Sequence, residues 1–240
     1  MEINTKGVLI DLDGTLLDTA PDIHSVINEI RTAHGLPLIP VETVRPLVSL
    51  GSSAILEAVY RDDFTPAQKV QFRTELLQRY HEQKTPRTVF FPGMKDFINR
   101  LITQGIPWGI VTNRTMALAE KATAQYPILN QAGCIVCADT TARQKPHPDP
   151  LLHACDKLSI KPEQALYIGD AEIDVQAGRA AGIRTLLVLF GYADPVEAAQ
   201  WGAETLCNDA ASLWAWMHKN DFFAAQTILP TTDLSFSTEA

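Results

Sequence analysis

The chain has 240 residues, 46% of them hydrophobic and 20% charged, which is enough apolar material for a sizeable core and too much for a disordered chain. Asp and Glu outnumber Lys and Arg by 28 to 20, a formal net charge of -8, so the whole molecule carries no electrostatic footprint for nucleic acid or for an anionic membrane. An anionic ligand would have to be gathered locally, by a metal, a lysine or backbone amides.

Met1-Glu2-Ile3-Asn4 has neither the basic start nor the apolar stretch of a secretion signal, and runs such as Leu186 to Phe190 are far too short to span a bilayer. A cytoplasmic protein is therefore expected. The first predicted element is a strand at Val8-Leu9-Ile10, apolar on both faces as in a buried parallel sheet. Gly14 ends it, so Asp11 and Asp13 stand at its carboxyl end, where ligands bind in open α/β sheets. Residues i and i+2 project to one side, so both carboxylates can approach one centre. Two like charges that close need a shared cation or proton, which an Asp-rich turn alone would not explain.

A helical insert follows. Pro21 suits the first turn of a helix capped by Asp18 or Thr19, with Ile23, Val26, Ile27 and Ile30 on one face and Gly35-Leu36-Pro37 as its stop. Further helices are expected over Val41 to Leu47, over Ser52 to Tyr60, and from Thr65-Pro66 with Phe72, Leu76, Leu77 and Tyr80 on the apolar side. Beyond Pro92 strands and helices alternate. Strands are expected at Trp108 to Thr112, Cys134 to Ala138, Leu166 to Gly169, Thr185 to Phe190 and, weakly, Thr205 to Asn208. Helices fall near Met94 to Gln104, Thr115 to Ala124, Pro148 to Lys157, Val175 to Ala181 and Ala210 to His218.

This alternation predicts the α/β class: a doubly wound, Rossmann-like parallel sheet interrupted by a small all-helical cap. The expected boundaries are 1–17 with 86–224 for the discontinuous core, 18–85 for the cap and 225–240 for a loose Thr- and Ser-containing tail. Four cysteines suggest no disulfide framework, and Cys134-x-x-Cys137 lies in an apolar run where free cysteine acts as a small hydrophobe. His147 and His153 read as surface or capping residues rather than metal ligands.

Three further polar clusters end strands or open helices: Thr112-Asn113, Lys145 before Pro146-His147-Pro148, and Asp170 with Asp174. In a doubly wound sheet these converge on the edge that carries Asp11 and Asp13. Taken in order, the four clusters resemble the haloacid-dehalogenase superfamily of phosphotransferases. Its DxDGT motif is met by Asp11, Asp13, Gly14 and Thr15, its strand-end Thr by Thr112, its Lys by Lys145 and its GDxxxD by Asp170 and Asp174. The insert is similar to that superfamily's C1 cap. Asp11 to Pro21 and Lys145 to Pro150 look most like bacterial phosphoglycolate phosphatases. Two departures stand out: Ala171 where many relatives have Ser or Thr, and Arg114 where Lys is common, which keeps the charge but not the ammonium geometry.

The resemblance implies a Mg²⁺ ion on the Asp11 side chain, the Asp13 carbonyl and Asp170, with Asp174 as a further ligand or an acceptor behind them. It implies Asp11 as nucleophile, Asp13 as acid and base, and Lys145, Thr112 and Asn113 on the phosphate. At the cap, Gly51 and Ser52 offer amides at a helix start and Arg45 lies near in sequence. They are candidates for a carboxylate on the substrate, against a plain N-cap and a solvated Arg. The expected substrate is a small phosphorylated metabolite, 2-phosphoglycolate first. N-acetylmuramic acid 6-phosphate is second, since Val48 to Ser53, Gly191-Tyr192 and Trp201-Gly202-Ala203 look compatible with it. A non-catalytic binding protein on the same fold is the alternative of another class, and either a monomer or a homodimer is compatible with the sequence.

Overall fold

The computed structural model describes residues 6–60, 65–83 and 86–220; the tail expected at 225–240 lies outside these. Strand β1 (Gly7–Ile10) is buried along its whole length and continues into β2 (Leu17–Asp18) and helix α1 (Ala20–Ala33). Helix α2 (Val41–Val44) then tightens into a 3-10 helix over Arg45–Leu50, followed by α3 (Ser52–Tyr60) and α4 (Pro66–Glu82). The single helix expected over Val41 to Leu47 is thus split. Pro46 in the first turn of the 3-10 segment has no N–H to give the α ladder.

The chain returns through β3 (Val89–Phe90) and α5 (Met94–Thr103) to β4 (Trp108–Val111), α6 (Met116–Thr123), β5 (Ile135–Val136) and α7 (Asp149–Lys157). It closes with β6 (Ala165–Gly169), α8 (Glu172–Ala181), β7 (Arg184–Val188), α9 (Pro195–Ala198), β8 (Thr205–Cys207) and α10 (Ala210–Lys219).

Six strands form one parallel sheet in the order β5-β4-β1-β6-β7-β8. β1 is central: Val8 pairs with Trp108 on one side and Leu166 on the other. The chain winds outward from β1 through β4 and β5, then crosses to its other side for β6 to β8. That reversal opens a crevice at the carboxyl ends of β1, β4 and β6, the place such sheets reserve for ligands.

The two connections to the cap run together as an antiparallel ribbon, with Leu17 opposite Phe90 and Asp18 opposite Val89. Sequence periodicity could not reveal strands of two residues. Asp22 in the first turn of α1 fastens the ribbon's exit, accepting hydrogen bonds from the Arg87 N–H (2.6 Å), the Thr88 N–H (2.9 Å) and the Thr88 hydroxyl (2.5 Å). The α1 face read from the sequence is buried, and it packs with Val44, Val48, Ile55, Phe72, Leu76 and Tyr80 of the cap. Val8 and Ile10 of β1 belong to the same apolar cluster, so cap and sheet share one core. Each fully buried aliphatic side chain in it contributes about 1.5–3 kcal/mol. Thr65 starts α4 with a reciprocal cap: its N–H meets the Gln68 side chain at 2.9 Å and its hydroxyl accepts the Gln68 N–H at 3.4 Å.

The four cysteines are free, and burial pushes the thiols up, to about 11 for Cys134 and about 12 for Cys137. They are packing residues. Among the described residues no helix is long and apolar enough to cross a membrane.

Candidate active site

The centre of the crevice is Lys145. Its ammonium is buried and donates to Asp11 Oδ1 at 2.7 Å, Asp174 Oδ1 at 2.8 Å, the Tyr167 hydroxyl at 2.9 Å and the Val111 carbonyl at 3.3 Å. Burial alone would lower its proton affinity, but Asp11 and then Asp174 outweigh that and hold the ammonium charged. Burial pushes the Asp11 carboxyl up to about 7; Lys145 opposes the rise, while Asp174 and Asp13 add to it. Tyr167 was not foreseen as a site residue. Within Leu-Tyr-Ile it reads as core, yet its hydroxyl also donates to Asp174 at 2.7 Å and so braces the pair.

Asp11, Asp170 and Asp174 form a buried cluster with ligand atoms within 4.8 Å of one another. Burial first, then Asp11 and Asp174, drive the Asp170 carboxyl well above its ordinary range. Three carboxylates against one ammonium leave an excess of negative charge in a place shielded from water. A hard divalent cation removes it, and an all-oxygen donor set suits Mg²⁺. The backbone is shaped around these groups. Gly14 sits at φ +82 where an added Cβ would come 2.1 Å from Asp170 Oδ2, and at Gly191 one would come 2.2 Å from the Gly14 carbonyl. The residues present therefore fit the ion.

Within that cluster Asp174 has a separate task. Its Oδ1 accepts from Lys145 and Tyr167, and its Oδ2 accepts the Asp170 N–H at 3.2 Å and the Ala171 N–H at 3.0 Å. Those bonds use the acceptor capacity of a carboxylate. Although distance includes Asp174 among the candidate ligands, its bonding is that of the acceptor that orients Lys145. Asp170 keeps more freedom, held by the Tyr192 N–H at 2.9 Å and by the Ser49 hydroxyl at 3.1 Å from each oxygen. Ser49 belongs to the cap, so the cap touches the candidate ion site directly.

Asp13 turns its side chain elsewhere. The Arg114 guanidinium grips it through Nε at 2.9 and 2.6 Å and Nη2 at 2.6 Å, and the Thr19 hydroxyl donates to its Oδ1. Thr19 is the N-cap of α1 by position but its side chain gives no capping bond; its hydroxyl points to Asp13 instead. Thr112 is buried at the end of β4 and its oxygen accepts the Arg114 N–H at 3.1 Å. Asn113 has a second role that the sequence did not suggest: its side-chain amide donates to the Lys145 carbonyl at 2.9 Å and accepts the Lys145 N–H at 3.1 Å. The amide oxygen and one amide N–H thus hold the lysine loop, and Asn113 also lines the cavity beneath the cap. The Lys145–Pro146 peptide in that loop is cis.

Between crevice and cap lies a cavity of about 160 Å³. Asp11, Asp13, Thr112 and Lys145 line its floor, and Ile23, Val48, Ile55, Leu76, Leu77 and Leu118 line its walls. Gly51 and Ser52 border it as expected; Arg45 does not. Asp18 takes the Arg45 guanidinium at 3.1 and 3.0 Å and Tyr192 covers it, with 5.5 Å from Cζ to the ring centroid. Arg45 therefore ties the 3-10 segment to β2 through Asp18 and does not border the cavity as its sequence nearness to Gly51 suggested. From the helical insert, Arg73 of α4 reaches the cavity, and its Nε donates to the Ser52 hydroxyl at 3.3 Å. Among the described residues it has no carboxylate partner, unlike Arg114 and Lys145.

Comparison with known proteins agrees with this geometry. A family model described as haloacid dehalogenase-like hydrolase matches residues 8–188. The N-acetylmuramic acid 6-phosphate phosphatase of Pseudomonas aeruginosa is 36% identical over 209 residues, covering 87% of this chain and 92% of that protein. A phosphoglycolate phosphatase of Xanthomonas campestris is 37% identical over 218 residues, covering 88% and 97%. Among solved structures, a predicted phosphoglycolate phosphatase from Haemophilus somnus has a TM-score of 0.80 over 89% of this chain and 98% of that one. At 23% identity the likeness is one of fold.

Proposed function

The chain belongs to the haloacid dehalogenase-like hydrolases, and from that premise we propose that it is a magnesium-dependent phosphomonoester hydrolase working through an aspartyl-phosphate on Asp11. The observation that carries this reading is the buried Lys145 ammonium, 2.7 Å from Asp11 and 2.8 Å from Asp174 at the carboxyl edge of the sheet. Lys145 occupies Oδ1 of Asp11 and leaves the other oxygen to attack phosphorus. As that bond forms, the bond from phosphorus to the alcohol breaks and the leaving oxygen takes a proton from Asp13. Water then adds to phosphorus, the bond to Asp11 breaks, and the water's proton returns to Asp13. Proton transfer of this kind is worth on the order of 10²–10⁴ in rate. Lys145 and the Thr112 hydroxyl face the charge that grows on the transferred oxygens. Mg²⁺ would be held by the carboxylates of Asp11 and Asp170 with the Asp13 carbonyl, and would supply the positive charge that lets an anion approach a phosphate dianion.

The substrate on this reading is a phosphorylated carboxylic acid, with Arg73 and Ser52 toward its carboxylate. 2-Phosphoglycolate is the simplest such ester. The aliphatic walls favour the second reading, N-acetylmuramic acid 6-phosphate, because a two-carbon acid has no apolar surface to place against Ile23, Val48, Ile55 and Leu118, whereas the methyl groups of that sugar acid do. Hydrolysis of p-nitrophenyl phosphate, 2-phosphoglycolate and the sugar acid phosphate, with and without Mg²⁺, tests both levels. Mg²⁺-dependent release of phosphate, fastest from an acidic ester, is expected. Arg73→Ala should raise KM for acidic esters by roughly tenfold and leave the aryl ester nearly unchanged. Failure to cleave any ester with Mg²⁺ present would overturn the activity, and equal effects of Arg73→Ala on all three would overturn the substrate class.

A further inference from the structure

Arg114 is a cavity-lining guanidinium that the mechanism above leaves unused. Its backbone is fixed on both sides: the N–H donates to the Thr112 hydroxyl at 3.1 Å and the carbonyl accepts the Ala138 N–H at 2.8 Å. Its side chain is largely buried and forks onto both oxygens of Asp13. On the opposite face lies the ring of Tyr80, a buried residue of cap helix α4, with its centroid 4.9 Å from Cζ. Asp13 is thus held from the core by Arg114, from the start of α1 by Thr19, and indirectly from the cap by Tyr80.

A carboxylate that must meet a leaving oxygen in one half-reaction and a water in the next has to keep one orientation through both. A single ammonium would restrain one oxygen; a guanidinium fork restrains both and fixes the plane. We propose that Arg114 is the positioning residue for Asp13, and that Tyr80 makes this hold depend on the cap being seated. The proposal rests on the reading of Asp13 as the acid and base of phosphate ester cleavage. It assigns Arg114 to proton transfer and not to grip on the transferred phosphate. In the second half-reaction the water oxygen bonds to phosphorus, the bond from phosphorus to Asp11 breaks, and the proton goes to the carboxylate that Arg114 orients.

The two roles separate with p-nitrophenyl phosphate, because nitrophenolate departs without needing an acid while breakdown of the phosphoenzyme still needs Asp13 as the base that takes the water's proton. In rapid-mixing experiments with Mg²⁺, Arg114→Lys and Arg114→Gln should give a burst of about one nitrophenolate per active site at nearly the wild-type rate. A steady state slowed on the order of 10²-fold should follow for Gln and less for Lys. Both substitutions leave Asp13 a hydrogen-bond donor, and a thermal melt confirms the fold. Tyr80→Leu keeps the ion pair and should show the same pattern with a smaller loss. A burst slowed as much as the steady state, or weaker inhibition by inorganic phosphate, would place Arg114 on the phosphate and overturn the proposal. Unchanged kinetics in both Arg114 variants would overturn it too. A wild-type chain that cleaves no ester would instead fail the underlying reading.

Discussion

Around Lys145 each partner has a distinguishable cost of removal. Tyr167→Phe deletes one fully buried hydroxyl that both accepts from Lys145 and donates to Asp174. Leaving buried partners short of a bond costs about 1–3 kcal/mol, and we expect that loss in urea unfolding. Turnover should fall several-fold with KM little changed, because Asp11 and Asp174 still hold the ammonium; a variant as stable and as fast as wild type would contradict the bracing role. Asp11, Asp13, Lys145 and Asp170 were legible in the sequence because each charged group follows an apolar strand or, for Lys145, stands just before a rigid Pro pair, where a charged side chain is rare without use. Tyr167 was not legible, since a hydroxyl inside an apolar strand looks like any core tyrosine. The partners that Arg45 and Asn113 meet were not legible for one reason: residue type tells what a side chain can bind, but only the fold tells what it meets first. For Arg45 that is Asp18, and for Asn113 it is the Lys145 backbone.

At the level of elements, long periodic segments declared themselves. The α1 stripe of Ile23, Val26, Ile27 and Ile30 is buried as read, and on α4 so are Phe72, Leu76 and Tyr80, while Leu77 is half-buried at the cavity wall. Short elements did not. The β2–β3 ribbon has two residues per strand, too few for any alternation, and is fixed by its pairing and by Asp22 instead. β5 is shorter than the apolar run Cys134 to Ala138 that foretold it, because apolar character marks burial and not pairing. α8 starts at Glu172, ahead of its expected start at Val175, because Asp174 reaches back to the Ala171 N–H and lets the first turn form at the site itself. The helix start and the anchoring of Lys145 therefore depend on one carboxylate.

For the whole molecule, the buried acids tie stability to pH and to metal. Unfolded, Asp11 titrates near its ordinary 3.8; folded and without a divalent ion it titrates at about 7, and Asp170 rises too. The folded state then binds protons more tightly than the unfolded one, so the metal-free chain loses stability as pH climbs between those values and keeps the full penalty above them. A divalent ion offsets the penalty only where the carboxylates are ionised. Thermal melts should show Mg²⁺ raising Tm more at about pH 8 than at about pH 5, and equal rises would contradict the ion's placement among these acids. The central claim is that Asp11 carries the phosphoryl group, and trapping tests it most directly. The chain is mixed briefly with a phosphate ester and Mg²⁺, quenched in acid, digested and analysed by mass spectrometry. The account predicts an acid-stable, hydroxylamine-labile phosphoryl group on Asp11, absent from Asp11→Asn; a phosphoryl group on any other residue, or an Asp11→Asn variant that still turns over, would contradict it.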